Sequence, residues 1–194
     1  MRRLVFCFGF LILSTASAQD EKSPNYYPLE VGNAWTYRVT AAGKDSSVTT
    51  RIAKHEKSGD VILAKHESPG VAPTEYLAQT AKGVFRHRLN NAELTPPFPI
   101  LLYPAKVGDK WKGAFTIEKE AGKHTFEAEV MSEETVDVPA GKFKALVVNV
   151  KLSGGGQAIE ANYWFAKDVG LVKQSIPVGG ATVTLELEKF ERKK

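Results

Sequence analysis

Four histidines, His55, His66, His87 and His124, are the side chains best suited to acid–base or metal chemistry in this 194-residue chain. They are scattered, and no H-E-x-x-H or comparable spacing puts two of them on one face of an element. Pairing the strands around the "KSGD" turn at 57–60 sets His55 opposite Ile62 and His66 opposite Arg51, so the two do not meet across that hairpin. Surface histidines are the expectation, with no metal site. Glu118 with Glu120, and Glu133 with Glu134, are carboxylates close in sequence. Glycosidic chemistry needs two carboxylates facing each other across a cleft, whereas an exposed acidic edge accounts for both pairs. "SGGGQ", 153–157, lacks the lysine and helix start of a phosphate loop and reads as a hairpin loop, and no G-x-S-x-G occurs. No catalytic residue, metal or cofactor is expected.

The single cysteine narrows the chemistry further. Cys7 lies within "MRRLVFCFGFLILSTASAQD", in which Arg2 and Arg3, the apolar run Leu4 to Leu13 and Ala16-Ser17-Ala18 have the layout of a secretory signal peptide over residues 1–18, cleaved after Ala18. The mature chain, residues 19–194, then has no thiol for a disulfide, a metal or a nucleophile. No later segment approaches the length of a membrane-spanning helix. A periplasmic or extracellular location is expected. Without Arg2 and Arg3 the 26 basic residues become 24 against 22 acidic ones, and the formal charge falls from +4 to +2. Lys and Arg alternate with Glu, as in "FTIEKEAGKHTFEAEV", instead of forming the basic face of a nucleic-acid binder.

Period-two alternation dominates the elements. Trp35, Tyr37 and Val39 alternate with Thr36, Arg38 and Thr40; Trp111, Gly113, Phe115 and Ile117 alternate with Lys112, Ala114, Thr116 and Glu118; Val183, Leu185 and Leu187 alternate with Thr184, Glu186 and Glu188. Such segments are half-buried antiparallel strands. Turn signals separate them at "AAGKDSS", "KSGD", "SPGVAPT", "EAGK", "SGGGQ" and "PVGG". The fold class is all-β and antiparallel: a strongly curved sheet, half-barrel or sandwich in a single domain over 19–194.

The frame of "YPLEVGNAWTY", 27–37, returns as "YPAKVGDKWKG", 103–113, and "EYLAQTAKGVFR", 75–86, is echoed by "NYWFAKDVGLVK", 162–173. Two sequence-related halves, about 27–94 and 103–190, are therefore expected to share one core. The proline-rich segment 95–104 joins them, its prolines preventing regular strand pairing. In the repeated motif proline fixes an extended approach, Gly with Asn or Asp makes a tight turn, and Trp opens a strand. Trp35 and Trp111 are thus candidates either for the core or for ligand-binding platforms. Val138-Pro139-Ala140-Gly141 fits a type I turn. Tyr163, Trp164 and Phe165 put aromatic rings on both faces of one strand, which makes Tyr163 and Trp164 candidate ligand-binding residues.

"YPLEVGNAWTY", "VDVPAGKFKALVV" and "NYWFAKDVGLVKQ" resemble hallmarks of a group of uncharacterised exported bacterial β-rich proteins, including domains of unknown function. The resemblance extends distantly to the lipoprotein-carrier type of curved sheet over an apolar cavity. It implies no catalytic residues. It implies a non-enzymatic exported binding protein for a lipid-like or other apolar ligand. The alternative is a structural module of the cell envelope that holds another protein or a polysaccharide.

Overall fold

The computed structural model describes residues 25–193 apart from Val71, so the expected leader and its cleavage site lie outside the described residues. The regular elements are all strands: β1 (Ala34–Ala41), β2 (Lys44–Ser58), β3 (Val61–Ser68), β4 (Ala72–Thr80), β5 (Gly83–Leu89), β6 (Ala92–Leu102), β7 (Lys110–Ile117), β8 (His124–Val138), β9 (Gly141–Gly154), β10 (Gln157–Ala166), β11 (Gly170–Val178) and β12 (Ala181–Glu191). Each pairs antiparallel with the next, and β12 returns to β1, which closes the barrel. The curved antiparallel sheet expected from the alternation is present, and its curvature continues to full closure. Closure removes the unpaired edges that an open sheet would expose.

The repeated motif performs one structural task twice. Gly32 N–H donates to Ile52 O and Ile52 N–H to Asn33 O, both at 2.9 Å; Gly108 N–H donates to Val130 O at 2.8 Å and Val130 N–H to Asp109 O at 2.9 Å. Gly32 and Gly108 have φ of 93° and 91°, a backbone state that needs glycine. One copy precedes β1 and the other β7, so each opens six strands. The turn side chains differ for a reason. Asn33, itself fully buried, donates from Nδ2 to Pro28 O and to Glu30 Oε2, while its Oδ1 accepts from Lys193 N–H. A carboxylate could not donate there. Asp109 is exposed and only accepts, from Lys106 N–H at 2.8 Å.

Two expectations are corrected. The segment 95–104 is not a crossover free of strand pairing: most of it is β6, with Phe98 opposite Arg86, Pro99 opposite Phe85 and Leu101 opposite Val84. The prolines are accommodated by register shifts against β5 and by a very short ladder to β7, only Leu94–Ile117 and Thr95–Thr116. Missing N–H groups cost little where few bonds are made. The β2–β3 register also differs. His55 faces Ala64 and His66 faces Ile52, because the hairpin turns at Gly59-Asp60 between the paired Ser58 and Val61, and a bulge follows between Ile52 and Lys54.

The barrel is packed at one end and hollow at the other. At the packed end Tyr26, Tyr27 and Leu29 of the incoming chain join Trp35, Leu101, Val138 and Leu187 in the buried cluster. Trp35 stacks on Phe190 at 5.3 Å and donates its Nε1–H to Val169 O at 2.6 Å. The opposite end is where the odd-numbered strands finish, at Ala41, Ser68, Leu89, Ile117, Gly154 and Val178. There Val39, Leu89, Ile176 and Leu185 point inward yet are only half-buried, as are Ile100 and Leu171 deeper in the barrel.

Candidate ligand cavity at the hollow end of the barrel

Those half-buried apolar side chains line a cavity of about 390 Å³ inside the barrel. Its walls reach the strand ends at Ser68, Ala72 and Pro73, and its inner reach is bounded by Tyr27, Tyr37 and Phe165. Two smaller cavities, about 190 and 150 Å³, adjoin it, and Arg86 lines all three. A larger concavity of about 550 Å³ lies on the outside of β7–β10, but its walls are charged. The register places Lys112, Glu127, Lys151 and Glu160 in one cross-strand row, whose charges compensate one another. The interior cavity is the one with apolar walls and a convergent polar group.

Four adjacent strands supply that polar group, one residue each: Thr50 (β2), His66 (β3), Glu75 (β4) and Arg86 (β5). Arg86 Nη2 pairs with Glu75 Oε1. Glu75 Oε2 lies 3.3 Å from His66 Nδ1, and His66 Nε2 lies 2.9 Å from Thr50 Oγ1. Burial alone would raise the Glu75 carboxyl, but the Arg86 charge and the hydrogen bond with His66 outweigh it and hold the group at about 2. Glu75 is thus ionised and accepts from His66 Nδ1–H; in the neutral imidazole Nε2 then accepts from the Thr50 hydroxyl. Tyr27 and Trp35 meet the His66 ring edge-on at 6.2 and 5.8 Å and fix its plane. Burial, foremost, raises the phenols of Tyr27, Tyr37 and Tyr163, so their hydroxyls stay protonated. Tyr37 donates to Leu171 O at 2.9 Å.

The four aromatic candidates separate in space. Tyr163 faces inward, lines the cavity and stacks on Phe165 at 6.1 Å. Trp164 lies on the outer face, where its Nε1–H donates to Glu134 Oε1 at 2.7 Å and Lys173 sits 5.7 Å from its ring. Lys173 continues to Glu186, and Glu186 to Arg38, so Trp164 ends an external chain of ion pairs. Trp35 is 2% exposed at the packed end. Trp111 donates its Nε1–H to Pro99 O at 3.2 Å and so bridges β7 to β6 where their ladder is short. The expectation of surface histidines fails for His66 and for His124, whose side chains are each 12% exposed. Thr50, Glu75 and Arg86 were not among the expected site residues. Their sequence signal is a polar residue at an apolar parity: Glu75 shares its side of β4 with Leu77, and Arg86 its side of β5 with Val84.

Comparison with known proteins agrees with the fold. Residues 112–175 match the sequence model of the DUF3108-like family, a span that contains both the "VDVPAGKFKALVV" and "NYWFAKDVGLVKQ" segments. A candidate lipoprotein of Parabacteroides distasonis superposes with a TM-score of 0.54 at 14% identity, covering 88% of this chain and 100% of its own. A candidate exported protein with a YmcC-like fold from Bacteroides fragilis gives 0.53 at 13% identity, covering 87% and 100%. The chain is thus similar to an uncharacterised, exported, β-rich group of proteins, and at these identities the two structures speak for the fold alone. No curated protein matches the chain.

Proposed function

We propose that this protein acts outside the cytoplasm and carries an amphipathic, lipid-like ligand in the hollow end of its barrel. One observation carries the reading: apolar side chains of β1, β5, β6, β11 and β12 point inward but remain half-buried around an internal cavity. Apolar surface left unpacked inside a barrel gains about 0.8 kcal/mol for each methylene that an entering chain buries. The four convergent polar residues supply a place for the polar end of such a molecule. The test is saturable binding of the neutral fluorophore N-phenylnaphthylamine by the mature chain, together with its loss in Leu185→Trp, whose indole projects into the cavity and obstructs it. Fluorescence unchanged by the protein, or equal enhancement by the filled variant, contradicts the reading.

A second reading rests on the order Thr50 hydroxyl, His66 imidazole, Glu75 carboxylate, which is that of a proton relay to a nucleophile. On this reading Thr50 Oγ1 attacks the ester carbonyl as His66 takes its proton, the alcohol leaves with that proton, and water then hydrolyses the acyl-threonine to the carboxylate. Steady release of carboxylate from a short-chain ester, abolished in Thr50→Val, supports it; release no faster than in buffer contradicts it.

A further inference from the structure

The charge balance of the polar group deepens the carrier reading, on which it rests, by naming the class of ligand. We infer that the cavity selects an amphiphile whose polar end is uncharged and accepts hydrogen bonds, an acyl ester or amide, over the corresponding fatty-acid anion. Arg86 lines all three of the interior cavities described above, and its side chain retains 29% of its surface. A guanidinium carries several donors in a fixed fork. Glu75 occupies Nη2, and Nε is buried with no hydrogen-bond partner among the described residues. Glu75 takes up only part of the fork, and a ligand acceptor beside the part of the guanidinium that faces the cavity can use donors the carboxylate leaves over.

Charge is a separate matter. Glu75 already neutralises Arg86, so that pair carries no net charge. A carboxylate entering beside Arg86 would also stand beside Glu75, and its attraction to one is offset by repulsion from the other. Its lost hydration then goes uncompensated in a space walled by Val39, Ile100, Phe165 and Leu185. An ester carbonyl takes the same donors with far less desolvation. Thr50 and Tyr163, both on the cavity wall, are hydroxyls suited to a neutral polar head. Glu75 is in this sense the specificity-determining residue: it converts an anion site into a site for neutral acceptors.

The experiment displaces N-phenylnaphthylamine from the mature protein with monodecanoylglycerol or with decanoate, at about pH 8, where decanoate is the anion. Monodecanoylglycerol is expected to displace the probe at a concentration at least about tenfold lower than decanoate. Glu75→Gln keeps the shape but frees the Arg86 charge, and should bring decanoate level with the ester or ahead of it. The wild-type comparison stands by itself if that variant does not fold. Equal or tighter binding of decanoate to the wild type overturns the inference and leaves the carrier reading in place. Probe binding that neither competitor displaces overturns the inference, and failure of the probe itself to bind overturns both.

Discussion

Arg86 and Arg88 stand two residues apart on β5 and live in different worlds. Each pairs with a glutamate, Arg86 with Glu75 and Arg88 with Glu56, and each lies over an aromatic ring, Phe98 at 5.6 Å and Tyr76 at 4.0 Å. Strict alternation would set both on one side of the sheet. A bulge intervenes: Arg86 is opposite Leu77 but Arg88 is opposite Tyr76, so His87 is the extra residue on β5. Arg86 consequently shares the inner face with Leu77 and Glu75, while Arg88 shares the outer face with Tyr76. There it reaches Glu56 and roofs the small outer cluster of Leu63, Tyr76 and Ala78. The same pair of residue types makes a ligand-facing network inside and a lid over packed side chains outside. What separates the roles is one inserted residue.

This contrast can be tested from its strongest consequence downward. Glu75→Gln should destabilise the protein by about 3 kcal/mol, because it leaves the Arg86 charge buried and uncompensated. Glu56→Gln should shift the urea midpoint far less, since Arg88 lies on the outer face over the Tyr76 ring, where water can replace the lost carboxylate. Equal midpoint shifts would remove the distinction between inner and outer pairs. Leu185→Trp should abolish probe binding while the urea midpoint changes little, because the ring fills existing space. Lys112→Ala, in the charged outer concavity, should leave probe binding unchanged.

The acid limb gives a finer reading. The folded Glu75 carboxyl is depressed to about 2 from an ordinary 4.5, so its contribution is complete above the ordinary value and is lost as pH falls toward the folded one. The stability gap between wild type and Glu75→Gln, measured by urea denaturation at successive pH values, should be constant above about 4.5 and narrow below it. The smallest effect is expected for Trp164→Phe, which removes the bond to Glu134 on the outer face and should leave ligand binding untouched.

Much of the architecture was legible because it obeys period two and repeats itself. The alternation in Trp35–Thr40, Trp111–Glu118 and Val183–Glu188 gave the strands their faces, and the duplicated Tyr-Pro…Gly-Asn/Asp-x-Trp frame located the start of each set of six. Closure was not legible, since a curved sheet and a barrel share one alternation and differ only in whether β12 reaches β1. The site was least legible where bulges break the period. The shift between Ile52 and Lys54 moved His66 opposite Ile52, beside Thr50, and the shift at His87 split the two arginines. The aromatic residues drew the eye as ligand contacts, but size alone does not say which side of a strand faces the hollow. Tyr163 and Trp164 are neighbours in sequence, one on the cavity wall and the other on the outer surface.

The central claim is that the hollow end holds an amphiphile in the living cell envelope. Native mass spectrometry of the mature chain, purified without detergent from its own envelope, tests it most directly when wild type and Leu185→Trp are compared. The account predicts a stoichiometric added mass on the wild type, released on denaturation as an uncharged acyl ester or amide, and a bare chain for the filled variant. The same bare mass for both proteins, or the same adduct on both, would contradict it.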